Sequence, residues 1–481
     1  VYKRQALPGV YKSRQSKSRV RFMDLNPKQI NQSLAVMQGR LFLENCDLTD
    51  IAKQFGTPLF VVSETHLRSN LRRYKKAFAA VWEEGPVRIM PSLKASPLLA
   101  IRKVLSDEGC GCDVFGPGEL ECALRSNMNP ADISINGSIK DRSIIRRGIE
   151  IGARIVLDSP RELEICEQEA ASLNKIARVM YRIKPAMTDL NVKSDFAPDY
   201  EIRDLTQLIK YGIPTAELLP MCTRTLQLPH IKPVGVHVHI GRHSKKLDVW
   251  QALVTQTVLL TKQMSELMAG WVPSEVDFGG GFPSFPDTDP DVYVKGYLGH
   301  DIEDYARVIA TTFRDTMAAV DMDCTGITLE VEPGRGLHCD TGVHLTQVKN
   351  VKEESGSNAR KWAEVDTSEV FLGVPGLSEE DPFRVMVANK GDQENTITTD
   401  IVGLTCNAER LCNQVETPVL EEGDVIVLLD TGSYIEAMAA NFNALPRPGT
   451  VLVSDNSVEL IKRHETIDDL FERDIIPQRL K

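Results

Sequence analysis

No apolar stretch in the 481 residues approaches the ~20 needed to cross a bilayer as a helix. That excludes an ordinary helical membrane span. The ten cysteines show no disulfide-scaffold spacing, so buried thiols in a reducing cytoplasm are the expectation. Cys110 and Cys112 in GCGC, with Cys122 beyond, lack the second pair that a zinc site needs. Short repeats and low-complexity tracts are absent. Acidic residues are missing before Asp24, whereas residues 1–22 carry seven Lys/Arg. That basic head has no apolar core, so it is no secretory signal. The chain opens without Met and Met23 begins MDLNPKQI. Residues 1–22 are therefore expected to lie outside the natural start or to form a disordered arm. Without them the chain holds 49 basic against 67 acidic residues. Such an acidic body argues against nucleic acid or an anionic membrane as partner.

What is present is an alternation of short apolar runs with amphipathic stretches. In HLRSNLRRYKKAFAAVW, residues Leu67, Leu71, Tyr74, Phe78 and Val81 recur every three or four positions, which predicts a helix. Strand-like runs follow at 87–90, 112–115, 133–136, 154–158, 177–183, 233–240, 275–278 and 327–332. Helical stretches separate most of them, including PGELECALRSN and a long segment from Leu247 to about Met268. Eight strands alternating with helices predict an α/β fold, a (β/α)8 barrel over residues 66–332. Beyond 332, runs such as VHLTQVKNVKEE, FRVMVANK and GDVIVLLD predict a mostly β domain over 333–481. Residues 23–65 are expected to add short strands to it.

Chemistry in such a barrel collects where the strands end. Lys94, in RIMPSLKAS, closes the first strand. A lysine that turns outward into water is the ordinary case. The alternative is an amine partly desolvated, neutral and nucleophilic, as a Schiff base requires. His237 and His239 share one face at the end of the sixth strand, in VHVHIGRH. A strand histidine is most often a satisfied core residue. The pair would also suit zinc, but with only nine histidines in the chain further ligands are scarce. Gly279, Gly280 and Gly281 follow the seventh strand. They make either a flexible turn or a bare backbone that lets N–H groups reach a phosphate. EPGRG, after the eighth strand, adds Gly334 and the guanidinium of Arg335. Glu332 beside a phosphate site makes sense if it addresses the opposite end of the ligand, such as a ring nitrogen. A Schiff-base lysine, a phosphate cradle, a ring-facing histidine and such a carboxylate together describe pyridoxal phosphate.

In these motifs and their order the chain resembles the fold-type III pyridoxal-phosphate decarboxylases, the diaminopimelate, ornithine and arginine decarboxylase group. The likeness runs from about Gly56 to about Leu460. It implies that Lys94 holds the cofactor as an imine and that Asp113 and Glu119, in CDVFGPGEL, line the site. His239 would stack on the ring, Gly279 to Gly281 would bind the phosphate, and Glu332 would meet the ring nitrogen, with Arg335 near the phosphate. Tyr434, in DTGSYIEAMAANFN, would touch the phosphate. Cys406, in GLTCNAE, would enter the neighbouring subunit's site and return a proton. The resemblance thus implies a homodimer with shared sites and an amino-acid substrate. Arg242 stands where the family usually has serine, and Asn407-Ala408-Glu409 departs from the usual Glu-Ser after the cysteine. An Arg-Pro…Tyr stretch of the diaminopimelate enzymes is not evident. A basic or diamino acid is expected, with Arg242 and Glu409 addressing it; diaminopimelate, lysine, ornithine, arginine, a D-amino acid and a polyamine precursor stay open. A racemase would present arginine to the ring nitrogen, and a non-catalytic relative would have lost Lys94 or Cys406.

Overall fold

A computed structural model describes residues 31, 33–187, 190–194, 199–239, 245–284, 300–356, 359–373 and 383–481. Four strands open the chain: β1 (Leu34–Met37), β2 (Arg40–Leu43), β3 (Cys46–Asp47) and β4 (Leu59–Ser63). The expectation of short strands alone for this region needs one correction. Leu48–Phe55 forms a helix, α1, capped by Asp47, whose side chain accepts from the Thr49 and Asp50 N–H groups. Leu48, Ile51 and Ala52 give it a buried face. The strands β1 to β3 form a sheet of their own and only β4 enters the larger sheet, but Leu34, Leu41, Leu43 and Leu48 share one core with Val343, Leu345 and Val427 of the β domain. Helix α2 (Glu64–Ala79) then leads into the barrel. Ser63 caps it, and Leu67, Leu71, Tyr74 and Phe78 are buried on one face.

The barrel strands are β5 (Val87–Ile89), β6 (Cys112–Val114), β7 (Ile133–Ile135), β8 (Arg154–Leu157), β9 (Ala177–Arg182), β10 (Ile231–His237), β11 (Glu275–Asp277) and β12 (Thr328–Val331). All eight lie in one sheet, ordered β5-β12-β11-β10-β9-β8-β7-β6, and every ladder is parallel. A bridge between Ser92 and Asp113 closes the ring above β5 and β6. Helices cover the outside, so the strands are buried on both faces and read as apolar runs.

Alternate residues face the inside, and they stack in three levels. The floor is ionic: Arg154 is ion-paired with Glu275 and, at 2.6 Å, with Glu330, while Arg88 and Arg178 add their own carboxylate contacts. Val156, Met180 and Val234 make a small apolar middle. The top carries polar side chains, described below. No helix among the described residues is long and apolar enough to cross a membrane.

The second domain contains β13 (Gly342–Glu353), β14 (Lys361–Val365), β15 (Val385–Val387), β16 (Ile397–Val402), β17 (Cys412–Thr417), β18 (Val425–Leu428), β19 (Gly449–Ser454) and β20 (Ser457–Lys462). Its sheet runs β17-β16-β14-β13-β4-β19-β20, with β18 also paired to β13 and β15. The two domains are bolted together beneath α2, where His66 Nε2 lies 3.1 Å from Asp340 and Asn70 donates to the same carboxylate at 3.0 Å.

Candidate active site

Strand β5 ends at Ile89, and after Pro91 residues Leu93–Ala95 turn once as a 3-10 helix. This turn lifts Lys94 into the barrel mouth. Its Nζ donates to Ser92 Oγ at 2.6 Å and lies 3.5 Å from Asp113 Oδ2. Ser92 in turn donates to that same oxygen at 2.7 Å. Asp113 Oδ1 is buried with no hydrogen-bond partner.

The surrounding carboxylates favour the ammonium form of Lys94 over the neutral amine. Although 43% of the side-chain surface is accessible, the amine stands deep among protein groups. Burial works against its charge, but Asp113, Tyr434, Glu332 and Glu119 outweigh burial and hold the ammonium above the ordinary lysine range. Glu119 accepts the Phe115 N–H at 2.7 Å, and burial pushes its carboxyl up.

Glu332 follows β12 and is buried. Asn136 Nδ2 donates to its Oε1 at 3.1 Å, and its Oε2 lies 3.2 Å from His237 Nε2. Arg182 donates to Asn136 Oδ1 at 3.1 Å, which fixes the amide's orientation. Burial, with Asp113 adding to it, pushes Glu332 up to about 8; Lys94 and Arg182 oppose the shift. Burial and the Arg182 charge drive His237 well below its usual range, so it is neutral.

His239 is half-buried, and its Nδ1 accepts the Gly280 N–H at 2.8 Å. That leaves the ring proton on Nε2. Gly279 and Gly281 have φ of 67° and 112°, conformations that suit only glycine well. A Cβ on Gly280 would lie 2.4 Å from the Glu332 carbonyl oxygen. Gly334 is equally tight: a Cβ there would lie 2.3 Å from Tyr434 Oη. Tyr434 comes from the second domain, with φ of 63°, and its N–H bonds to Ala95 O at 2.8 Å. The Arg335 guanidinium lies 5.5 Å from the Tyr434 ring centre. Thus the turn that carries Lys94, the glycine turns, Glu332 and Tyr434 share one mouth.

Two expected residues are elsewhere. Cys406 is exposed and bonds Asn443 Oδ1 at 3.3 Å. Among the described residues nothing joins it to the Lys94 cluster. Glu409 must be corrected: its carboxylate is buried and accepts from Ser368 Oγ, the Glu369 N–H, the Thr405 N–H and Thr405 Oγ1. Its oxygens are committed to folding the loop, which leaves it no capacity for a substrate amine. Arg242 lies outside the described residues.

Sequence reasoning missed Asn136, Arg182 and Asp277. Each is a polar residue at the end of an otherwise apolar strand, and that was the available signal. It also left His237 without a role.

An amine, a glycine-built anion cradle and a buried carboxylate at the strand ends of one barrel define a pyridoxal-phosphate enzyme of the barrel class. The residues fit that group: the tight glycines bare their backbone, and an acid stands opposite the amine. Comparison with known proteins agrees. Residues 64–338 match the family model described as the pyridoxal-binding domain of pyridoxal-dependent decarboxylases. Diaminopimelate decarboxylase from Methanocaldococcus jannaschii is 31% identical over 457 residues, covering 94% of this chain and 98% of that relative. The Archaeoglobus fulgidus diaminopimelate decarboxylase is 29% identical over 443 residues, covering 92% and 98%. The solved M. jannaschii diaminopimelate decarboxylase in co-complex with L-lysine superposes with a TM-score of 0.82 at 29% identity, covering 94% of this chain and 99% of that one. The chain belongs to the pyridoxal-dependent decarboxylase family. It is a decarboxylase that uses pyridoxal phosphate.

Proposed function

We propose that the substrate is an amino acid with a second amine, and that meso-diaminopimelate is the first compound to test. Relatives named diaminopimelate decarboxylase match nearly the whole chain. The observation that carries the cofactor's place is Lys94, held by Ser92 and Asp113 in the same mouth as Glu332 and the glycine turns, and the substrate reading rests on the named relatives.

Pyridoxal phosphate supplies the electron sink that accepts the pair released when the α-carboxylate leaves as CO2. Lys94 would hold it through its amine. Asp113 and Ser92 hold that amine and move its proton. Gly279 to Gly281, Gly334, Arg335 and Tyr434 would hold the phosphate, and His239 would pack against the ring. Glu332, braced by Asn136 and His237, would be the acid–base partner that keeps a proton on the ring nitrogen.

The exposed thiol of Cys406 is the proton donor to the carbon that has lost CO2, acting in the partner's site of a homodimer. A cytoplasmic setting keeps it reduced. Its exposure in a single chain supports this role.

The test is CO2 release from L-, D- and meso-amino acids by enzyme loaded with pyridoxal phosphate. Release from a diamino acid is expected; release only from a monoamino acid would sink the substrate assignment. Lys94→Ala should lose both the visible imine band and turnover, and a retained band would overturn the role of Lys94.

A further inference from the structure

Asp277 ends β11 and Glu332 follows β12, so their carboxylates meet inside the barrel. Asp277 Oδ1 accepts the Gly279 N–H at 2.8 Å. Its other oxygen, Oδ2, is buried and has no donor. One donor atom each from Asp277, Glu332 and His237 lies within 4.8 Å of the others.

The protons can be counted. Arg182 only donates, so Asn136 Oδ1 must face it and the Asn136 NH2 must face the other way. That NH2 lies 3.1 Å from both Glu332 Oε1 and His237 Nε2. Nε2 is therefore an acceptor and cannot supply Glu332 with a proton. Lys94, Asp113 and Arg182 also act on Glu332, while Glu330 and Arg154 act on Asp277. None of them is hydrogen-bonded to Asp277 Oδ2. Two buried carboxylates facing each other with no donor between them repel strongly, and a shared proton relieves this. Burial and the Glu332 charge push Asp277 well above the usual carboxylate range.

We propose that Asp277 is a positioning residue of the reaction: as a protonated carboxyl it donates to Glu332 and holds that single negative charge toward the cofactor ring. The inference rests on the proposed role of Glu332 at the ring nitrogen. Asp277 reaches the chemistry only through Glu332, and the pair carries one charge in place of two.

The test uses the loaded enzyme and three variants. Infrared spectra at neutral pH should show a carbonyl stretch from a protonated carboxyl that is lost in Asp277→Asn. Asp277→Asn keeps a donor, so it should retain most of the turnover and the wild-type pH profile of the visible band. Asp277→Ala keeps none, and should shift that profile and lower kcat by about tenfold or more, as for a lost hydrogen bond to a charged group. Absence of the stretch in the wild type, its persistence in Asp277→Asn, or a metal ion found at the site by elemental analysis would each overturn the proposal. Equal profiles for Asp277→Asn and Asp277→Ala would overturn it too. If Glu332→Gln leaves the visible-band profile unchanged while the stretch behaves as expected, the role of Glu332 fails and the shared proton stands.

Discussion

At the scale of single residues, burial sets the charge states. Glu332 is pushed up to about 8 by burial, against an unfolded value near ~4.3. Between these values the folded Asp277–Glu332 pair keeps a proton that the unfolded chain has released. The stabilisation is full below about pH 4.3 and is lost as pH rises through about 8. Cofactor-free wild type should therefore lose thermal stability relative to Glu332→Gln as pH rises across that window. A constant difference between the two would refute the assignment. Lys94 was legible as the special lysine from its place at the end of a strand. Its charge was not, because a sequence does not show that Ser92, Asp113 and Glu332 converge on it. Glu409 misled for the same reason: nothing in GLTCNAE shows that Thr405 and the distant Ser368 and Glu369 use up its carboxylate.

Elements decide how tightly the mouth is built. A Cβ on Gly334 would meet Tyr434 Oη at 2.3 Å but the ring carbon Cζ at 3.3 Å. Gly334→Ala should cost about 1–3 kcal/mol of stability, the usual penalty for overpacking. In a Tyr434→Phe background the cost should shrink, and a double-mutant thermal series would detect that coupling. At the barrel floor, Arg154→Met would remove the buried cation between Glu275 and Glu330 and leave them only the partly exposed Arg88 and Arg178. A loss of about 3–5 kcal/mol is expected, read as a lower urea midpoint in the loaded enzyme. All eight barrel strands were legible because strands covered on both faces become continuous apolar runs. Helix α1 was not. Leu48, Ile51, Ala52 and Phe55 do recur at helical spacing behind the Asp47 cap, but its eight residues lie between strand-like runs and are too short to stand out from them.

For the whole molecule, the proposed homodimer makes a prediction by arithmetic. If Cys406 serves the neighbouring site, Lys94→Ala and Cys406→Ala subunits mixed at random should form hybrid dimers with one intact site each. About a quarter of wild-type turnover should return from two inactive parents. No recovery on mixing, with hybrids shown to form, would place Cys406 outside the partner's site. Strand β4 carries a different consequence. It lies between β13 and β19, although it precedes the barrel in the chain and both neighbours follow it. The barrel is thus an insertion within a discontinuous β domain, and severing the polypeptide after β12 would strip a central rib of both flanks. Calorimetry should find one cooperative melting step for both lobes, and a recombinant fragment ending at the barrel should be unable to mature alone.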